Sequence, residues 1–200
     1  MLSNILTEGG LDMNIKGTFF TITKSTVIAA FGIEKWNKFM AKMAEKDPYF
    51  KDTVIMTITL VPVEKSIMLL DGVIDEFFNG DRMNSYILFG RIAAKFALSE
   101  GGFYHFLMQT KDVKTFVENH LPKIWSIHFD GGSVNARLDN NMIYISINDF
   151  PVKNQYYENF IMAYYKQVLK IYGKKSTATM LRSLSAGNND LSLKYELKDS

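Results

Sequence analysis

The feature that most constrains the fold is a change in hydrophobic spacing near residue 130. From there, four short segments alternate apolar and polar residues with period two, which is typical of strands that bury one face. They are SVNARL, NNMIYISIN, TATMLRSL and DLSLKYEL, with LDNN and SAGNND as hairpin turns. This pattern predicts a small twisted antiparallel sheet in the C-terminal half of the chain.

Most of the remaining chain has helical spacing. One predicted helix ends at Gly32, a second ends at Asp47-Pro48, and a third starts at Pro62, which suits a first helical turn. RMNSYILFGRIAAKFAL and the aromatic NQYYENFIMAYYKQVLKIYG add two further helices. The sequence therefore predicts an α+β fold in which a helical N-terminal layer packs on the sheet, with the long aromatic helix crossing it.

Two segments are harder to assign. The β-branched residues from Thr53 to Thr59 suggest extended structure. KDVKTFVENHLPKIWSIHF predicts a short helix that breaks near Pro122 and continues as an aromatic extended stretch. The organisation expected from these patterns is a flexible lead-in over residues 1–14 and a single domain over residues 15–198.

Composition excludes several classes of function. The formal net charge is +2 with scattered Lys and Arg, which does not suit a nucleic-acid partner. The chain has no cysteine, so disulfides and thiolate metal sites are excluded. No apolar run is long enough for a transmembrane helix, and the first residues lack a leader pattern, so we expect a cytoplasmic protein.

The order of several motifs resembles a known superfamily. KGTFF, FGIEKW, a Pro-started helix ending in NGD, FGR, LPKIWSIHFDGG and the aromatic helix follow one another before a final hairpin. In this order the chain is similar to bacterial proteins, many from myxobacteria, that are grouped with heme-nitric-oxide-binding domains, 4-vinyl reductase ligand-sensing domains and transport-protein-particle (TRAPP) subunits. The resemblance covers roughly residues 15 to 198. It implies helices around a small sheet, an apolar pocket, frequent dimerisation, and sensing, lipid-binding or scaffolding functions.

The resemblance suggests a pocket for a hydrophobic small molecule or a lipid. Aromatic residues can line such a pocket, although each of them can instead fill the core. The pocket candidates are Phe103, Phe106, Trp125, Tyr157, Phe160 and Tyr164.

A heme site is the alternative that the same resemblance raises. Heme-nitric-oxide-binding domains use a helical histidine as iron ligand and a Tyr-x-Ser-x-Arg motif for the propionates, for which this chain offers His105, Tyr144 and Ser146. The position of the motif's arginine is Asn148, so Arg137 or Arg182 would have to replace that charge. A packed ring that bonds to backbone is the other interpretation of His105. We interpret His120 and His128 as surface residues.

The predicted function is a non-enzymatic regulatory or scaffolding domain that binds a hydrophobic small molecule or a protein partner, with no catalytic residues, no metal and no cofactor. The alternative is a heme-based gas sensor. We also expect a homodimer, for which the small residues Gly90, Ala93 and Ala97 are a candidate seam; the same residues would equally allow close packing inside the chain.

Overall fold

The computed structural model describes residues 13–102 and 104–198. The elements in chain order are β1 (Asn14–Lys16), α1 (Thr18–Phe31), α2 (Ile33–Lys46), α3 (Tyr49–Asp52), β2 (Leu60–Pro62), α4 (Val63–Phe77), α5 (Arg82–Leu98), α6 (Val113–Thr115), α7 (Leu121–His128), β3 (Ser133–Asp139), β4 (Met142–Asn148), α8 (Gln155–Ile171), β5 (Ser176–Arg182) and β6 (Asp190–Leu197). This arrangement confirms the predicted α+β fold class. No helix in the described ranges is long and apolar enough to cross a membrane.

The four-stranded sheet is antiparallel with strand order β3-β4-β6-β5. Along β4, Ile143, Ile145 and Ile147 are buried, because alternate side chains point to the same face of a strand. Tyr144 and Ser146 therefore lie on the opposite, more polar face. The period-two pattern in the sequence corresponds to these two faces, one buried and one more polar.

Helices α5 and α8 pack very closely. A Cβ atom on Gly90 would lie 2.4 Å from the carbonyl oxygen of Phe160 in α8, and Ala93 and Ala97 are buried in the same chain. The small residues thus let two helix backbones approach within one molecule. This packing corrects the candidate dimer seam, because the face is not free to meet a second copy.

The chain remains helical through Pro122, contrary to the predicted break. A π-helical turn over Phe116–His120 leads into α7, and Pro122 lies in the first turn of α7, directly after the π-helical turn. The aromatic stretch before Phe129 is consequently helical and not extended. Between α3 and β2, residues 53–59 form a loop, which differs from the predicted extended structure, and the strand β2 begins only after this segment, at Leu60.

The last two residues of the predicted lead-in, Met13 and Asn14, are part of the folded structure. Met13 is only 3% exposed, and Asn14 begins β1, which pairs antiparallel with β2. The backbone N–H and the side-chain amide of Asn14 both donate to Asp130 at 2.7 Å. Residues 1–12 of that prediction lie outside the described residues.

The turn between β5 and β6 is attached to α8 by one buried carboxylate. Glu158 is fully buried and accepts hydrogen bonds from Ser183 Oγ at 2.5 Å and from the Ser185 backbone N–H at 2.7 Å. Ser185 Oγ adds a third bond at 3.2 Å. The buried charge is therefore satisfied by the turn that it holds.

Candidate functional site

An internal cavity of about 40 Å³ lies where α1, α5, α7 and α8 meet β1. Its walls are almost entirely apolar. We call it the His128 cavity and define it by Ile15, Phe19, Trp125, His128, Tyr164 and Tyr165. The long aromatic helix α8 thus forms one wall, to which Tyr164 belongs, while no residue of the four-stranded sheet lines the cavity.

His128 is the titratable group of this cavity. Its Nε2 shares a 2.8 Å hydrogen bond with the Tyr164 hydroxyl, and the ring edges of Tyr104 and Tyr164 pack around the imidazole. Burial, assisted by the positive charge of Lys16, lowers the pKa of His128 to about 4. The imidazole is therefore neutral at physiological pH.

Tyr165 also lines this cavity, and its hydroxyl is buried. Tyr165 is 2% exposed, and its hydroxyl has no hydrogen-bond partner among the described residues. Burial raises the pKa of Tyr165 well above its usual range, so the hydroxyl keeps its proton. Buried polar groups normally have partners, and an exception calls for an explanation.

A continuous run of aromatic rings surrounds the cavity and fills most of the adjacent space. Phe19 contacts Phe160 at 5.8 Å between ring centroids, and Phe160 stacks on Tyr157 at 5.3 Å. The run continues through Phe150 to Trp125, which stacks on Phe129 at 4.2 Å. The predicted residues Trp125 and Phe160 line the cavity, and Tyr157 belongs to the run beside it.

Two other pocket candidates are placed differently. Phe106 is 59% exposed and does not line the His128 cavity. Phe103 lies outside the described residues.

His105 does not reach the His128 cavity. It begins a 3₁₀ turn over His105–Met108, and its Nδ1 bonds to the Leu98 carbonyl oxygen at 3.0 Å. The ring is partly buried and bonds to backbone, which is the alternative to an iron ligand that the sequence analysis gave for His105.

The other two histidines are not surface residues. His120 Nδ1 bonds to the Leu107 carbonyl oxygen at 2.6 Å, and His128 lines the cavity. The prediction that they are surface residues is wrong for His128 because α7 extends to this residue and turns its side chain toward the cavity. A helical spacing of Ile124, Trp125 and His128 was the signal that could have revealed it.

The residues compared with a propionate clamp lie on the far face of the sheet. Ser146 Oγ donates to Asp190 Oδ2 at 3.0 Å, and Arg182 pairs with the same carboxylate at 2.9 Å. The Arg137 guanidinium lies 4.5 Å from the Tyr144 ring centroid. Both arginines considered as substitutes are thus engaged on a face that does not meet the cavity.

The fold is that of the H-NOX (heme-NO-binding) domains. An H-NOX protein from S. oneidensis in the Fe(II)NO ligation state superposes with a TM-score of 0.70 and 16% identity, covering 92% of this chain and 100% of that one. Unliganded Fe(II) H-NOX from K. algicida gives a TM-score of 0.66 and 12% identity, covering 93% and 98%. No protein-family model and no curated protein matches the sequence. The wider resemblance to TRAPP, 4-vinyl reductase and myxobacterial proteins stays a prediction.

The comparison contradicts the prediction that no cofactor is involved. The similar structures are described by Fe(II) ligation with NO or CO, and one by heme distortion in the H-NOX family. The solved structures that share this fold are thus heme proteins, and the prediction of no cofactor, which rested on Asn148 and His105, is corrected on that ground.

The present arrangement of side chains fits the donor chemistry of a heme but not its size. His128 offers a neutral imidazole among apolar walls, which suits an iron ligand. A space of about 40 Å³ holds roughly three water-sized molecules, far less than a porphyrin. On the sheet, the Asp190 carboxylate beside Ser146 would repel a propionate. A heme therefore does not fit this conformation.

Proposed function

We propose that this chain is a non-enzymatic sensor domain whose ligand is recognised in the His128 cavity. The observation that carries the proposal is a neutral histidine in an apolar cavity among the helices of an H-NOX fold. Within the described ranges, no cluster of three or more His, Asp or Glu side chains could hold a metal ion. A buried cavity with few polar groups suits recognition of a small molecule.

A heme-based gas sensor is the specific form of this function that the structural neighbours favour. Two of these H-NOX structures have Fe(II) with NO or CO as its ligand. In such a form His128, and not His105, is the histidine with access to a cofactor in the cavity. The small cavity volume implies that Trp125, Phe129 or Phe160 must move before a heme could enter.

Hemin titration tests this form. We expect a saturable one-to-one Soret band in the wild type that is lost in His128→Ala and kept in the matched control His105→Ala. The reverse pattern would restore His105 as the ligand. A Soret band in neither variant nor wild type would exclude the heme form and leave a sensor that takes another ligand.

Thermal melts of the three proteins accompany the titration. They separate loss of binding from loss of folding, because a variant that melts at the wild-type temperature still has its cavity. If His128→Ala loses both hemin binding and the folded state, the result does not test His128 as a ligand. In that case His128→Gln, which keeps a polar side chain, replaces the alanine variant.

A further inference from the structure

We propose that a second copy of this chain pairs with the outer edge of β2, so that β1 and β2 of both copies form one continuous antiparallel sheet. The contact surface consists of four apolar side chains that we call the Ile58 patch: Val54, Met56, Ile58 and Leu60. None of them lines the His128 cavity. The inference therefore does not depend on the proposed function.

The Ile58 patch reverses the usual orientation of polar and apolar side chains. Its members are between 52% and 79% exposed, and they alternate with Ile55, Thr57 and Thr59, which are less exposed. A segment that met only water would turn its threonines outward and its apolar side chains inward. Single exposed apolar residues are common, but four on one short segment indicate an interaction surface.

Hydrogen bonds hold the backbone of this segment in place. The N–H groups of Gly17 and Thr18 donate to the carbonyl oxygens of Thr59 at 2.7 Å and Thr57 at 3.1 Å. The Met56 N–H donates to the Thr59 hydroxyl at 2.9 Å. The two threonines thus serve the backbone of their own segment, and the apolar side chains between them are presented outward in a fixed arrangement.

The outer edge of β2 is open. The Thr59 carbonyl oxygen and the Val63 N–H bond toward β1, at Gly17 and Met13. Because alternate residues of a strand direct these groups to opposite sides, the N–H and C=O of Leu60 point away from β1. No strand in the described part of the chain lies on that side. Such an edge is a template for a strand from another chain.

Charge and area both suit a second copy as the occupant. The sequence from Thr53 to Val63 has no charged residue, so two identical segments meet without repulsion between like charges. The Ile58 patch exposes roughly 450 Å², and a standard interface takes about 500 Å² of apolar surface from each partner. A lipid surface suits it less, because the outward N–H and C=O of Leu60 would find no partner there.

A two-fold axis beside Leu60 brings the two edges together. Each Leu60 N–H then donates to the Leu60 carbonyl oxygen of the other copy, and Ile58 lies opposite Pro62. Pro62 has no N–H to donate, so the pairing between copies is short. Both copies use the same surface, and the assembly therefore closes as a dimer instead of growing further.

Sedimentation equilibrium of the full chain at micromolar concentrations tests the assembly. We expect a dimer that Ile58→Lys weakens about 30-fold or more, because each copy would then bury a lysine at the centre of the contact. Ile33→Lys is the matched control: Ile33 is also exposed, but α1 separates it from the patch by about 20 Å. A monomeric wild type, or equal weakening by both substitutions, would overturn the proposal.

Leu60→Cys tests the strand pairing itself in a chain that has no cysteine of its own. Opposite Cα atoms in a bonded antiparallel pair lie about 5.5 Å apart, within the range that a disulfide spans. Mild oxidation should therefore cross-link Leu60→Cys as a dimer, and not the control Leu88→Cys at an exposed position of α5.

Two further outcomes would contradict this pairing. A wild-type dimer in which Leu60→Cys cross-links no better than Leu88→Cys would place the interface elsewhere. A monomer that binds vesicles of anionic lipid, and loses this binding in Ile58→Asp but not in Ile33→Asp, would assign the Ile58 patch to a membrane surface. Hemin binding is unaffected in either case, so failure of this proposal leaves the His128 cavity to be judged separately.

Discussion

The Nε2 atom of His128 lies 2.8 Å from the hydroxyl of Tyr164, so a hydrogen bond joins α7 to α8 at the cavity wall. Both helices, α7 and α8, contribute residues to the wall of the cavity. Burial keeps the imidazole neutral at physiological pH. Protonation of His128 would place a charge among apolar walls without a carboxylate beside it.

The first prediction concerns this pH dependence. The folded pKa of His128 is about 4 against 6.5 in the unfolded chain, so the unfolded state binds more protons between these values. Stability is retained above pH 6.5 and lost as pH falls toward 4. Chemical unfolding should show that His128 contributes a loss of about 2 kcal/mol in the free energy of unfolding between pH 7 and pH 5.

His128→Phe isolates this contribution, since it removes the titrating group and keeps a ring of similar shape. We expect its stability to fall less between pH 7 and pH 5 than that of the wild type. The matched control is His105→Phe, which leaves the His128–Tyr164 pair intact and should follow the wild-type curve more closely. Parallel curves for wild type and His128→Phe would contradict a lowered pKa at His128.

The second prediction concerns the contact between α5 and α8. Gly90→Ala should destabilise the fold by about 1–3 kcal/mol, because its Cβ would lie 2.4 Å from the backbone oxygen of Phe160. Gly72→Ala in α4 is the matched control, since the nearest atoms to its Cβ belong to side chains and not to backbone: Met43 Sδ at 2.9 Å and the Phe39 ring at 3.1 Å. Urea unfolding compares the two, and the control should cost much less.

Light scattering on Gly90→Ala separates the two roles weighed for this small-residue face. A fall in stability without a change in mass is expected from packing inside one chain. A wild-type dimer that dissociates on this substitution, with the folded state otherwise intact, would return Gly90 to an intermolecular seam.

The third prediction concerns the hairpin turn held by Glu158. Glu158→Ala leaves the Ser183 hydroxyl and the Ser185 N–H without their acceptor and should cost about 2–3 kcal/mol. Amide exchange at Ser185 should accelerate. Glu196→Ala, at an exposed position of β6, is the control with the same change of charge. Unchanged protection at Ser185 would show that the turn is held by other contacts.

The strands could be predicted from the sequence because their alternation is a local property. Ile143, Ile145 and Ile147 alternate with polar residues whatever surrounds them, and the resulting sheet has the expected hairpins. The small residues of α5 likewise indicated a close helix contact. Whether Phe160 of the same chain or a second copy supplies that contact is not encoded in the spacing.

The site was less predictable, because it depends on how distant segments pack. Pro122 suggested a break, yet it lies in the first turn of α7, and the helix then carries His128 into the interior. His105 attracted attention through its aromatic neighbours, although its ring bonds to Leu98 outside the cavity. An unsatisfied hydroxyl such as that of Tyr165 has no sequence signal at all.

The stacking of Trp125 on Phe129 provides the protein with its own optical reporter. The chain has two tryptophans, and Trp125 lines the cavity while its indole N–H donates to the Gly131 carbonyl oxygen at 3.0 Å. Indole emission responds to the polarity and contacts of the ring. In a Trp36→Phe background, the wavelength and intensity of that emission should therefore change when a ligand binds in the cavity, without any label added to the protein.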